Sequence, residues 1–118
     1  MLDHIGVGVS DVVKSKAFFV AALAPLGYKA LMDFGEAVGL GSDRPDFWIA
    51  KGTPTQSHIA FAAANRATVR AFYDTAIAAG GKDNGAPGLR PQYHPNYYGA
   101  FVLDRDGNNI EAVCHQPE

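Results

Sequence analysis

Apolar and polar residues alternate in short runs along most of the chain, but two longer stretches follow helical spacing instead. Asp11 and Asn65 precede these stretches and are residue types that cap helix starts. Gly27 and Gly80–Gly81 follow them and are typical of helix ends. The apolar stripes consist of Phe19, Leu23 and Leu26, then Val69, Phe72, Tyr73 and Ile77. The pattern predicts two helices set among short strands.

The chain also contains an internal repeat. With an offset of 54 residues, which matches His4 to His58, HIGVGVSDVVKSKAFFVAALAPLG faces HIAFAAANRATVRAFYDTAIAAGG without a gap. Each half reads as a strand, a helix and then further strands. The sequence therefore predicts one α+β domain over residues 1–118, made of two tandem βαβββ modules with pseudo-repeats at 1–53 and 54–118.

The remaining strands are predicted from short apolar runs between glycines and turn residues. The predicted strands are Tyr28–Phe34, Glu36–Leu40, Phe47–Lys51, Tyr98–Leu103 and Asn109–His115. The last two are joined by a turn at residues 105–108 and form a hairpin. Between them and the second helix, NGAPGLRPQYHPNYY is rich in proline and glycine, so residues 85–98 are predicted to form an irregular loop over the sheet.

Strand side chains alternate between the two faces of a sheet, and a helix covers only one face. The apolar positions of the two first strands and the last strand suit the helix side: Ile5, Val7, Val9, Ile59, Phe61, Ile110, Ala112 and Cys114. Three residues of metal-binding types then share the opposite side: His4, His58 and Glu111. Their small neighbours leave space for a ligand there: Gly6, Gly8, Ala60 and Ala62.

Composition narrows the function further. The chain of 118 residues is 47% hydrophobic and 19% charged, with a formal net charge of -2, so no nucleic-acid partner is expected. No apolar run approaches the roughly 20 residues of a membrane span and no signal peptide is evident, so a cytoplasmic protein without a membrane partner is expected. Its single cysteine, Cys114, excludes an internal disulfide and a cysteine-rich zinc site and is predicted to be buried.

Three segments together resemble the vicinal oxygen chelate superfamily, which includes glyoxalase I, extradiol dioxygenases, fosfomycin-resistance enzymes and bleomycin-resistance proteins. They are HIGVGVSDVVKSKAFFVAAL, HIAFAAANRATVRAFYDTAIAAGG and YYGAFVLDRDGNNIEAVCH. The resemblance implies an open, barrel-like mixed sheet with the helices on the outside. It also implies metal ligands from the first and last strands of the modules, which are His4, His58 and Glu111 at the matching positions.

The chain departs from the glyoxalase pattern at Trp48, where a fourth ligand is expected. Two histidines and one carboxylate resemble the extradiol dioxygenase set, which suits Fe2+, Mn2+, Zn2+ or Ni2+. The resemblance therefore implies a divalent-metal-dependent lyase or dioxygenase acting on a small oxygenated metabolite. The alternative is a metal-free small-molecule binding or sequestration protein of the bleomycin-resistance type. A glutathione-dependent enzyme would need a fourth ligand and a basic pocket, and neither is found.

Further residues are predicted to shape the site. His115 lies on the face of Glu111 and is a candidate general base, and Tyr97 is a candidate catalytic phenol. The predicted substrate-binding residues are Trp48, Arg90, Tyr93, His94 and Tyr98. Most of them lie in or beside the proline-rich loop, which is placed to close over a bound molecule. Edge strands and an open barrel favour a homodimer.

Overall fold

A computed structural model describes all residues from 1 to 118 and contains two α-helices and eight strands. In chain order they are β1 (Ile5–Val9), α1 (Val12–Leu23), β2 (Lys29–Asp33), β3 (Ala37–Gly41), β4 (Phe47–Lys51), β5 (His58–Ala62), α2 (Arg66–Ala78), β6 (Lys82–Leu89), β7 (Tyr98–Leu103) and β8 (Asn109–Cys114). A short 3-10 helix, Ala24–Leu26, follows α1.

The strands form two separate four-stranded mixed sheets, with the orders β1-β4-β3-β2 and β5-β8-β7-β6. The first strand of each module pairs in parallel with the last, and the other pairs are antiparallel. Neither sheet closes on itself. The predicted tandem βαβββ modules and the open sheet architecture are therefore confirmed.

Both helices begin where the sequence predicts and α2 ends just before Gly80–Gly81, whereas α1 ends at Leu23 and a 3-10 helix continues up to Gly27. The Asp11 side chain accepts a hydrogen bond from the backbone N–H of Lys14 at 3.0 Å, and the Asn65 side chain accepts one from that of Thr68 at 2.8 Å. These bonds satisfy amide groups that have no partner inside the helix. Gly27, after the 3-10 helix, has a positive φ of 84°, which favours glycine. Neither α-helix is long and apolar enough to cross a membrane.

One hydrophobic core joins the two modules. The Phe47 ring of the first module meets Phe19 at a centroid distance of 5.0 Å and Phe61 of the second module at 5.3 Å. Phe72, on the second helix, is also fully buried in this cluster of 21 residues. Cys114 is a buried, free thiol, as predicted. Because the modules share one core, their relative position is fixed by packing as well as by the connecting chain.

The prediction of an irregular loop over residues 85–98 is wrong for its first part, because residues 85–89 belong to the strand β6 (Lys82–Leu89). The prolines and glycines are tolerated since β6 is an edge strand, where Pro87 needs no partner for its missing N–H. Two register shifts interrupt its pairing with β7, and Gly85 has a φ of 150°. Residues 90–97 do form the loop, which is closed by a bond of 2.7 Å from the Arg90 N–H to the Tyr97 carbonyl.

The turn between β7 and β8 connects several parts of the second module. The buried Asp104 carboxylate accepts hydrogen bonds from the backbone of Asp106 and from the backbone and side chain of Asn108, at 2.8 to 2.9 Å. The Asn108 side-chain oxygen accepts from the backbone N–H of Ser57 at 2.8 Å. The turn therefore fixes the start of β8 against the start of β5.

Candidate functional site

The strand registers show which positions of the two modules are equivalent. Gly6 of β1 lies opposite Trp48 of β4, and Ala60 of β5 lies opposite Glu111 of β8. Gly6 and Ala60 also match in the sequence repeat. Trp48 therefore occupies in the first module the place that Glu111 occupies in the second, so the two sheets present different chemistry on corresponding faces.

Trp48 is a packing residue in the first sheet. Its indole stacks parallel to the Phe34 ring, with an interplanar angle of 5° and a centroid distance of 6.1 Å. Gly39 leaves the room for it, because a Cβ at that position would lie 2.8 Å from the indole. The predicted substrate-binding role of Trp48 stays a prediction, since this side chain does not line the cavity that contains Glu111.

Glu111 is the centre of the candidate site. It is only 1% exposed, and its two carboxylate oxygens have different partners. One oxygen, Oε1, lies 2.9 Å from Nε2 of His58 on β5, and the other, Oε2, accepts a hydrogen bond from the Tyr97 hydroxyl. A buried carboxylate needs such donors. The bonds join two strands and the end of the 90–97 loop at one carboxylate.

The Glu111 bond assigns the tautomer of His58. An ionised carboxylate can only accept, so the neutral imidazole carries its proton on Nε2 and leaves a lone pair on Nδ1. The His58 side chain is 54% exposed. Its Nδ1 atom is therefore an oriented basic nitrogen, held as a carboxylate holds the histidine of a catalytic dyad.

Tyr97 keeps its proton over the ordinary pH range. Burial and, next, the hydrogen bond to Glu111 and the negative charge of that carboxylate raise the pKa of Tyr97 to about 12. A phenol in this state donates to Glu111 and does not act as a base near neutral pH. Tyr97 thus fixes the carboxylate in this structure, and its predicted catalytic role stays a prediction.

Alkaline unfolding provides a test of this bond. A tyrosine pKa raised in the folded state above its ordinary value of about 10 contributes stability that is complete below that pH and is lost as the pH rises towards 12. We therefore expect Tyr97→Phe to lose less stability than the wild type between these pH values. Urea unfolding at a series of alkaline pH values measures the difference, and parallel pH profiles would contradict the assignment.

The cavity beside Glu111 has a volume of about 390 Å³ and aromatic walls. It is lined by His58, Tyr93, His94, Tyr97, Phe101, Glu111 and His115. The Tyr93 and Tyr97 rings lie 4.9 Å apart, and Phe101 lies 6.1 Å from the His58 ring. Such walls suit a planar ligand. Phe101 was missed by sequence reasoning, although alternation along β7 places it opposite Glu111.

Two further imidazoles in the cavity wall are hydrogen-bonded to each other. His94 Nε2 lies 2.8 Å from His115 Nδ1, and the rings stack with an interplanar angle of 29°. His94 Nδ1 accepts from the backbone N–H of Asn96 at 3.1 Å. Both predicted residues, one assigned to substrate binding and one to base catalysis, therefore do lie beside Glu111.

His4 is not part of this arrangement. It is 60% exposed, and its Nδ1 atom lies 2.8 Å from a carboxylate oxygen of Asp3. His4 and His58 both line a second groove, of about 440 Å³. No group of three or more His, Cys, Asp or Glu side chains in the structure is arranged to hold a metal ion. Of the three predicted metal ligands, only His58 and Glu111 lie together within one chain. The residues of one chain therefore do not form a metal centre with three ligands.

Two other predicted substrate-binding residues lie outside the cavity lining. The Arg90 guanidinium donates to the Ala86 carbonyl at 2.8 Å and stacks over the Phe101 ring at 5.4 Å. Tyr98 receives a hydrogen bond of 3.3 Å from Arg70. Both side chains have protein partners, and their predicted roles in substrate binding stay predictions.

Comparison with known proteins agrees with the fold. The model of the family described as Glyoxalase/Bleomycin resistance protein/Dioxygenase superfamily matches residues 1–112. A glyoxalase/bleomycin resistance protein from Albidiferax ferrireducens T118 is 30% identical, with 98% of each chain covered and a TM-score of 0.83. No curated protein matches the chain in sequence.

Two more distant structures share the fold alone. A glyoxalase/bleomycin resistance protein/dioxygenase family enzyme from Burkholderia phytofirmans PsJN is 18% identical, with 98% of each chain covered and a TM-score of 0.76. TioX from Micromonospora sp. ML1 is 13% identical, with 98% of this chain and 99% of that chain covered and a TM-score of 0.76.

Proposed function

Because the chain belongs to the Glyoxalase/Bleomycin resistance protein/Dioxygenase superfamily, we propose that it is an enzyme that moves a proton within a small oxygenated metabolite. The observation that carries this proposal is the buried Glu111 carboxylate bonded to both His58 and Tyr97. It leaves a basic nitrogen free on His58, and this residue lines an aromatic cavity. The substrate class is a carbonyl compound with a C–H bond next to the carbonyl carbon.

In the proposed step, His58 Nδ1 takes the proton from this carbon. The electron pair of the broken C–H bond forms a C=C bond, and the carbonyl π pair moves onto oxygen to give an enolate. The negative Glu111 carboxylate stabilises the imidazolium that His58 becomes. Return of the proton to the same or a neighbouring atom completes an exchange or an isomerisation without any oxidant or reductant.

The protein groups around the dyad have supporting roles. Tyr97 holds the second oxygen of Glu111, which keeps the carboxylate directed at His58. Tyr93 and Phe101 supply ring surfaces in the cavity wall, and these surfaces suit a planar enolate.

A divalent-metal-dependent enzyme is the second candidate. His58 and Glu111 offer a nitrogen and an oxygen donor close together, which suits Fe2+, Mn2+, Zn2+ or Ni2+. The third donor, His4, would have to reach them by rearrangement or from a second copy in a homodimer. A bound ion would supply Lewis-acid stabilisation of negative charge on the substrate oxygen. His4 is exposed and lines the same groove as His58, and this observation supports the metal-dependent candidate.

One experiment separates the candidates. Small carbonyl compounds are incubated in D2O with the wild type, His58→Ala and His4→Ala, and exchange of the C–H proton is followed by NMR with and without a chelator. Exchange that survives the chelator and is lost only in His58→Ala is the expected result. Exchange that requires one divalent ion per chain and is lost in both variants would support the metal-dependent candidate and overturn the metal-free step.

The same samples test the sequestration alternative. A protein that binds a carbonyl compound but exchanges no proton under any metal condition would be a binding member of the superfamily. Elemental analysis of the wild type beside the two variants reports metal content independently of turnover. His4→Ala is the variant that separates the two candidates, because it removes an exposed imidazole that does not contact Glu111 and so affects exchange and metal content only if His4 is a metal ligand.

A further inference from the structure

We infer that the aromatic cavity selects a planar ligand with a neutral carbonyl oxygen, that His115 binds this oxygen, and that His94 is the positioning residue that makes His115 a donor. The inference rests on the proposed function in that it concerns the same cavity and names the ligand class. It can be tested without catalysis, because it concerns hydrogen bonds that the protein already makes without a ligand.

The argument begins with His94. Its Nδ1 atom accepts a hydrogen bond from the backbone N–H of Asn96 at 3.1 Å, so this nitrogen carries no proton. The single proton of a neutral imidazole must then sit on Nε2. That atom lies 2.8 Å from His115 Nδ1, and His94 is therefore the donor of this bond. The reverse direction would place a proton on His94 Nδ1, facing the Asn96 N–H.

The tautomer of His115 follows. Because its Nδ1 accepts from His94, the proton of His115 sits on Nε2. His115 lines the cavity, and its Nε2 atom has no hydrogen-bond partner in the protein. A neutral His115 therefore has a donor to offer and no free lone pair. The role of general base that the sequence suggested for it does not suit this state.

Most of the other polar hydrogens in the cavity already take part in hydrogen bonds within the protein. His58 donates to Glu111, Tyr97 donates to Glu111, and His94 donates to His115. The free groups are the His115 N–H, the His58 lone pair and the exposed Tyr93 hydroxyl. A carbonyl compound complements the first two, since its oxygen can accept from His115 while its neighbouring C–H group faces His58.

Charge and shape restrict the ligand further. Glu111 places a negative charge in the cavity wall, which disfavours a carboxylate and favours a neutral carbonyl. The rings of Tyr93, Tyr97 and Phe101 favour a flat molecule. Acetophenone therefore fits the inferred class, and benzoate is its charged counterpart of similar size.

The test compares two variants at His94 with opposite properties. His94→Phe keeps a ring to pack against Tyr97 and His115 but has no donor. His94→Gln loses the ring but keeps an N–H at the position of Nε2. Long-range proton–nitrogen NMR at a pH of about 8, where an ordinary imidazole is neutral, reports which nitrogen of His115 carries the proton. Acetophenone and benzoate binding are measured by NMR titration on the same samples.

The expected results are specific. In the wild type, His115 is protonated on Nε2 and acetophenone binds more tightly than benzoate. His94→Phe mixes the His115 tautomers and weakens acetophenone binding about twofold, because equal tautomer populations leave about half of the protein with the donor on Nε2. His94→Gln restores both the tautomer and the affinity. A purely packing role of His94 predicts the opposite order, with Phe better than Gln.

Several outcomes would overturn the inference. A wild-type His115 protonated on Nδ1, or a His94→Phe protein with an unchanged tautomer and unchanged affinity, would remove the role of His94. Tighter binding of benzoate than of acetophenone, or no binding of acetophenone, would contradict the inferred class of planar ligands with a neutral carbonyl oxygen. Proton exchange in D2O is recorded separately, so a protein that binds as inferred but exchanges nothing contradicts the proposed function alone.

Discussion

Asn108→Ala is expected to lower the free energy of unfolding by about 3 kcal/mol, which is a large part of the stability of a domain of this size. Asn108 is fully buried and bonds the Asp104 carboxylate and the Ser57 backbone N–H, each at 2.8 Å. Alanine leaves both partners without this bond, and an unsatisfied buried polar group costs about 1–3 kcal/mol. Urea unfolding of wild type and variant measures the change.

A matched control for Asn108→Ala is available at the next residue. Asn109 has the same side chain, but its amide makes only an exposed bond of 3.2 Å to Asn84. We expect Asn109→Ala to change stability by no more than about 0.5 kcal/mol. Equal losses in the two variants would show that the turn is not held by the buried Asn108 network.

Glu111→Gln is expected to reduce proton exchange at least about 100-fold, within the range attributed to general acid–base groups. The amide oxygen of glutamine can still accept from one donor, but the amide nitrogen cannot accept from the other. Either His58 or Tyr97 therefore loses its partner. The neutral amide also cannot stabilise a protonated His58. Exchange rates in D2O at several substrate concentrations separate this loss of rate from weaker binding.

An exposed carboxylate provides the control for Glu111→Gln. Glu36 lies on the surface of the first module, and Glu36→Gln removes the same charge without touching the cavity. We expect its exchange rate to equal that of the wild type. A Glu111→Gln protein with normal exchange would show that His58 does not depend on the carboxylate for its orientation.

The sequence predicted the parts of the site that follow from strand alternation. His58 and Glu111 were placed on one face because their neighbours Ile59 and Ile110 belong to the core, and both isoleucines are buried. The resemblance to the superfamily also identified Trp48 as the residue in place of a fourth ligand, and the strand registers agree. The placement of His58 and Glu111 depends on local periodicity, which a sequence displays directly, whereas the place of Trp48 came from the family pattern.

Other features depended on contacts that periodicity does not encode. The equivalence of His4 and His58 in the repeat was correct, but equivalent positions in two separate sheets need not be neighbours. The pairing of His94 with His115 joins a loop to the end of a strand, 21 residues apart. The role of Pro87 was misjudged because its strand lies at a sheet edge, which only the strand order reveals.

The strand bulges have a consequence for how the protein avoids misassembly. The edge strands β2 and β6 both contain register shifts, and β6 also contains a proline, so neither offers a regular row of amides to another chain. The opposite edge strands, β1 and β5, pair without irregularity and present small side chains on one face. Strand addition by another polypeptide is therefore hindered along β2 and β6 and least hindered along β1 and β5.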